Sequence, residues 1–231
     1  MIREALRFPL GDPDDRGAAA EALAVGGGLH LLSAFVPVLP LVPVVGYLVR
    51  VLGAAGDADD PSRLPSFRSA GSLLRDGLVG SLLAVGFLLV PVVVLAVTFG
   101  GAVSGGAGGA GIDPTTPLGY GVTLVGGTVT LLLAVAVVYP LPAVLAAYAR
   151  ADPEAGTLAR VRAALSPGRL RRVVSTGRYF YAWTVGAVLV LFGLALAGAG
   201  SRPARLVGFF GLFYLEVAAA AAWSRGVGGN R

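Results

Sequence analysis

The chain has 231 residues, 55% of them hydrophobic and only 13% charged, with a mean hydropathy of +0.78 and a formal net charge of +5. That balance lies outside the range of soluble globular domains and marks a membrane protein. All eighteen basic residues are arginine and cysteine is absent, which excludes Schiff-base and Walker-type lysines, disulfides, thiolate metal sites and cysteine nucleophiles.

The N-terminus, residues 1–21, carries five acidic residues ahead of the first apolar run, so it reads as a retained cytoplasmic or interfacial segment and not as a cleaved signal peptide. The first apolar segment, 22–52, holds the only histidine, His30, and then VPVLPLVP, with Pro37, Pro40 and Pro43 inside seven residues. Each proline removes a backbone donor and crowds the carbonyl four residues earlier, which sets one straight helix against a turn. Residues 22–36 would reach about 22 Å as helix, short of the roughly 30 Å hydrocarbon core. The three prolines are therefore expected at the tip of a re-entrant hairpin, a tip that the other helices must shelter.

Four further apolar stretches follow at 78–103, 118–149, 179–200 and 206–223. Nothing is charged between Asp76 and Asp113, between Asp113 and Arg150, or between Arg178 and Arg202, and each gap exceeds the roughly 20 residues of a spanning helix. SGGAGGAGIDPTTP, at 104–117, reads as a loop, and its glycines are no phosphate loop because no strand precedes them. Small residues at four-residue spacing, such as Gly80, Ala84, Gly193 and Ala197, suit close helix packing.

Arginine placement orients the chain. If 22–49 crosses once, 13 arginines lie inside and 5 outside; if it turns back, the split becomes 16 to 2. The expected architecture is thus an all-α integral membrane protein with four full transmembrane helices plus an N-terminal proline-broken re-entrant hairpin, five transmembrane helices being the alternative. Both termini are then cytoplasmic, in a multi-pass protein of the cell membrane, and Tyr47, Tyr148, Tyr179, Tyr181, Trp183 and Trp223 fall at the inner interface.

The basic linker, 150–178, reads as an amphipathic pair of interfacial helices. Asp152 and Ser166 each precede a proline as helix caps. Leu158, Val161 and Leu165 share one apolar face, and Arg160, Arg162, Arg169, Arg171 and Arg172 face lipid headgroups. The loop before the second segment reads similarly, with Ser69 as a cap and Arg75 and Asp76 as a solvated interfacial pair.

RFPLGD near the N-terminus, GGG before the first apolar run, GYLVRVL at its end, and then LPSF and LLRDGLVG resemble the mostly archaeal membrane family named domain of unknown function 4013. The similarity is closest from Arg7 to about Gly80 and looser through the arginine-rich linker and GRYFYAW. It implies a multi-pass membrane protein and supplies no catalytic residue.

Two intramembrane polar residues remain. Glu216, in FFGLFYLEVAAAAAW, costs roughly 2.5 to 3.5 kcal/mol on insertion scales, so something should offset it. His30 descends to similar depth if the first segment turns back, which makes the two expected neighbours. The favoured function is a non-catalytic membrane protein that organises lipid or serves as a membrane subunit or scaffold. The alternative is a small transporter or channel using His30 and Glu216. No cofactor, metal or nucleic acid is expected; the expected partners are anionic lipids and a membrane protein or further copies of the chain.

Overall fold

A computed structural model of the chain describes residues 2–12, 16–55, 64–104 and 116–228. Among them are only helices: α1 (Ile2–Arg7), a 3-10 turn (Phe8–Leu10), α2 (Arg16–Ser33), α3 (Leu41–Ala54), α4 (Ala70–Ser104), α5 (Pro117–Val138), α6 (Leu141–Ala149), α7 (Thr157–Ala164), α8 (Pro167–Val174), α9 (Gly177–Ala197) and α10 (Arg202–Val227). Four stretches are long and apolar enough to cross a membrane: Ala70–Val94, Gly119–Ala149, Gly177–Ala197 and Arg202–Val227. The shortest, at 21 residues, reaches about 32 Å against a core of about 30 Å. The chain is an all-α membrane protein.

The first apolar segment is not one helix. Two helices of 18 and 14 residues meet at a turn over 34–40. Ala22 and Val217 line one small cavity, and the Phe210 ring fills the space beside Gly27, so α2 runs against the direction of α10. On the return, Tyr47 packs on Phe213 and the Leu52 carbonyl accepts from the Ser224 hydroxyl at 2.8 Å, so α3 runs with α10. Both outer ends of this helix-turn-helix therefore lie toward the C-terminal end of α10.

The molecule divides into two compact units. The first comprises residues 1–81 and 142–231 and the second 82–141. In the first, α9 and α10 form an antiparallel pair closed by small residues: Gly193 faces Leu212, Gly186 admits the Trp223 indole, and Gly226 faces Ala182. Trp223 donates to the Trp183 carbonyl at 3.2 Å. Phe8, Tyr47, Phe213 and Val217 lie in the core beside this pair. The N-terminal segment packs into that core: Ala5 and Phe8 are buried, and the Tyr214 hydroxyl donates to the Leu6 carbonyl. Gly11, with φ 65° and ψ −164°, takes the chain out of the 3-10 turn in a conformation open almost only to glycine.

The second unit is the remainder of α4 and α5. Thr116 caps α5 by accepting from the Gly119 amide, while the Thr128 and Thr130 hydroxyls donate to carbonyls four residues back, which is how hydroxyls are satisfied without water. Leu82, Leu131 and Leu132 point outward from these helices.

Several element boundaries differ from expectation. The second segment begins at Ala70, so LLRDGL is already the first turns of the spanning helix and not a separate interfacial helix. The third is broken at Tyr139–Pro140, because prolines at 140 and 142 cannot continue the ladder of α5. Asp152 caps no helix; its carboxylate accepts from the Glu154 amide in a turn, and α7 starts after Gly156. Ser166 holds the position before α8, with Pro167 at its first position, but its side chain makes no capping hydrogen bond. The glycine-rich loop expected at 104–117 lies mostly outside the described residues.

Candidate functional site

The site is built on α2 and α10. Ser201 caps α10 through the Ala204 amide, Pro203 fits its first turn, and the run Ala218–Ala222 is fully buried. On α2, a methyl group at Gly26 or Gly27 would overlap the rings of Phe213 and Phe210. These glycines bring α10 close enough for His30 Nε2 to lie 3.1 Å from Glu216 Oε2, with the two side chains 6% and 18% exposed. Both side chains lean toward their own helix N-termini, and in an antiparallel pair those directions converge.

The chemistry of the pair follows from its other contacts. His30 Nδ1 lies 3.0 Å from the Gly26 carbonyl, which can only accept, so Nδ1 carries a hydrogen. Nε2 faces a carboxyl oxygen that no other hydrogen bond reaches. One proton between them gives either imidazolium with carboxylate or imidazole with carboxylic acid, and the net charge is zero in both. The His30 ring lies 6.0 Å from Phe213, which in turn packs 5.5 Å from Tyr47, and Tyr47 stacks on Phe67 at 4.3 Å.

The three prolines are distributed differently from expectation. Pro37 lies in the turn, Pro40 precedes α3, and Pro43 is the third residue of α3, where its missing N–H would have had no helical acceptor. Nor is the tip covered, since Phe35, Val38 and Leu39 are 78%, 71% and 72% exposed. The amides of Ala34, Phe35, Val36, Leu39, Leu41 and Val42 all donate to local carbonyls, so much of the turn's own backbone is bonded within it where shelter was expected. Leu39 N–H reaches Pro37 across Val38, whose φ is 75°; this is the strained positive-φ γ-turn.

A second polar cluster was missed in the sequence. Asp76 is buried, accepts from the Tyr148 hydroxyl at 3.1 Å, and lies 3.6 Å from Arg75 and 3.8 Å from Arg160. Arg160 donates to the Tyr148 carbonyl at 3.1 Å and stacks over its ring at 4.2 Å. Arg160 is therefore no headgroup contact: α7 turns its Arg160 and Ala164 face inward and leaves Leu158 86% exposed. Tyr47, Tyr148 and Tyr179 are likewise fully buried and not interfacial anchors. The available signal was the four-residue spacing of Arg160 and Ala164 on a helix facing the tyrosine end of a span. Arg162, Arg169, Arg171 and Arg172 do face outward, and Arg50 fastens the 66–72 segment to α3 through Ser66, Ser69 and Ser72.

Among the described residues no group of three acidic, histidine or cysteine side chains could hold a metal ion. No curated protein and no solved structure matches the chain. A family model described as "Protein of unknown function (DUF4013)" matches residues 29–200. The match thus begins after RFPLGD and GGG and runs through the arginine-rich linker to the end of α9, and it includes His30 and Asp76 but not Glu216. Covering well over half of the sequence, it establishes that the chain belongs to the DUF4013 family.

Proposed function

We propose that this chain is a non-catalytic, lipid-organising protein of the cell membrane, acting as scaffold or membrane subunit. Its N- and C-termini are cytoplasmic, α2 and α3 enter and leave the bilayer from that side, and α7 and α8 hold anionic headgroups of the same leaflet. The observation that carries this reading is outward-facing charge without an acid along the chain to oppose it. Arg162, Arg169, Arg171 and Arg172 are exposed, and no carboxylate occurs between Glu154 and Glu216. Each arginine near an anionic surface contributes about 1 kcal/mol, so four give about a thousandfold preference at moderate salt.

The re-entrant arrangement has separate support. Fourteen residues of α3 reach about 21 Å, too short for a core of about 30 Å, and the exposed apolar tip with its local hydrogen bonds suits hydrocarbon contact. The reading is tested with spin-labelled phosphatidylglycerol and phosphatidylcholine in reconstituted bilayers. The native chain is expected to enrich the anionic lipid in a salt-sensitive way, and Arg→Gln at 162, 169, 171 and 172 together is expected to abolish the enrichment. Unchanged selectivity in that variant overturns the reading.

The His30 and Glu216 pair favours a second reading, a small channel or transporter that moves a proton or cation past the paired side chains. Flux into liposomes that depends steeply on pH and is lost in Glu216→Gln would establish it, and absence of flux in the native chain would exclude it.

A further inference from the structure

A cavity of about 210 Å³ opens where α6 ends, beside α7, α8 and the last turn of α10. Its walls include Ala147, Leu170, Val173 and Val227, and two arginines, Arg150 and Arg169, reach its lining. Arg150 follows directly on the span Gly119–Ala149, and Val227 ends the span Arg202–Val227, so the cavity stands level with the ends of two spans. We infer that this cavity is a specific site for one anionic phospholipid, its phosphate between Arg150 and Arg169 and the start of its apolar part against Leu170, Val173 and Val227. This rests on the proposed lipid role of α7 and α8 and goes beyond it, since a diffuse basic face needs no cavity.

Three observations favour a phospholipid. The guanidinium of Arg150 is held in a fixed orientation, its Nη2 donating to the Ser224 hydroxyl at 2.7 Å and to the Ser224 and Leu52 carbonyls at 2.9 and 3.3 Å. A guanidinium fixed through that one nitrogen sets a positive charge at the cavity wall, and Arg169 adds a second, which together suit an anionic group. The walls are otherwise apolar, which a free, fully hydrated anion would not favour. The volume lies below the roughly 300 to 1,000 Å³ of pockets that engulf whole small molecules, so it suits a headgroup whose chains continue along the outside of the protein.

The test is native mass spectrometry of the full chain in neutral detergent, titrated with phosphatidylglycerol or phosphatidylcholine. The native chain is expected to retain one phosphatidylglycerol more tightly than any further one and than phosphatidylcholine. Ala147→Leu and Val173→Phe, which fill the cavity without removing charge, and Arg169→Gln are each expected to weaken that first lipid by roughly tenfold or more. Excess inorganic phosphate is expected to leave it bound. If the native chain does not prefer phosphatidylglycerol, the lipid reading itself fails and takes the inference with it. If the preference stands but survives the filling variants, the headgroups bind along the open arginine face and the cavity site is overturned. Displacement by inorganic phosphate overturns it in favour of a soluble anion. Should both filling variants fail to fold, Arg169→Gln decides, and undiminished binding there overturns the site.

Discussion

Glu216 can stay inside a span because His30 lies beside it, Nε2 3.1 Å from Oε2. An unpartnered carboxylate at that depth costs roughly 2.5 to 3.5 kcal/mol, while a partner 3.1 Å away with its other nitrogen on a carbonyl lets the pair stay neutral overall. Replacing either side chain with leucine should destabilise the protein, and replacing both should cost less than the sum of the two. Between helices in a bilayer such coupling runs at about 0.5 to 2 kcal/mol. Thermal unfolding in detergent of the two single variants and the double variant measures it; strict additivity would mean that the two groups do not interact. Val38 offers the opposite case, a residue that works against its own conformation. With φ at 75° a β-branched side chain costs about 1 to 2 kcal/mol, of which the extra freedom of an unfolded glycine offsets roughly half. Val38→Gly is therefore expected to raise stability by about 0.5 to 1 kcal/mol in the same assay, and a loss would show that the valine side chain contributes more than the strain removes. The closeness of His30 and Glu216 was legible because each is a lone polar group in an apolar run. Asp76 and Arg160 were not, because charges at the ends of apolar segments usually meet water, and only the fold brings the distant Tyr148 and Arg160 onto Asp76.

At the scale of elements, apolar runs marked the spans well, since the length a bilayer demands leaves little freedom. Their ends were less legible. Helix geometry does not stop where hydrophobicity does, so α4 begins at Ala70, well before the uncharged stretch, and α10 continues to Val227 past Trp223. The α3 and α4 contact explains one consequence. Gly46 faces the Leu73 carbonyl, and Gly77 faces the Val42 carbonyl; a methyl group at either position meets backbone, which cannot turn aside as a side chain can. Gly86, on the same helix as Gly77, has open space where its side chain would be. Gly77→Ala is expected to cost about 2 kcal/mol or more by forcing the helices apart, whereas Gly86→Ala should gain about 0.5 to 1 kcal/mol from helix propensity alone. Melting temperatures of the two variants, compared with the native chain, separate packing from propensity, and similar shifts in the two would contradict the close approach at Gly77.

At the scale of the whole molecule the quantity to measure is which side of the bilayer each connection faces, and the absence of cysteine makes it accessible. Turning the chain back at 34–40 moves Arg3, Arg7 and Arg16 to the side that already holds the linker arginines, which changes the split from 13 to 5 into 16 to 2. The packing favours the same outcome, because Phe8 lies against Arg225 while Leu52 is bonded to Ser224, which puts both outer ends of α2 and α3 beside one end of α10. Single cysteines at Gly17, Ser66 and Gly200 convert this into accessibility. Gly17 and Ser66 are exposed on either side of the helix-turn-helix, and Gly200 lies in the short connection between α9 and α10. A membrane-impermeant maleimide applied from the cytoplasmic side is expected to label Gly17→Cys and Ser66→Cys and to spare Gly200→Cys, with the pattern inverted from the other side. Labelling of Gly17→Cys together with Gly200→Cys, and not with Ser66→Cys, would mean that residues 22–52 cross the bilayer. The basic face of α7 and α8 would keep its leaflet in that case, since the direction of the four long spans does not depend on the first segment, and only the re-entrant arrangement would fall.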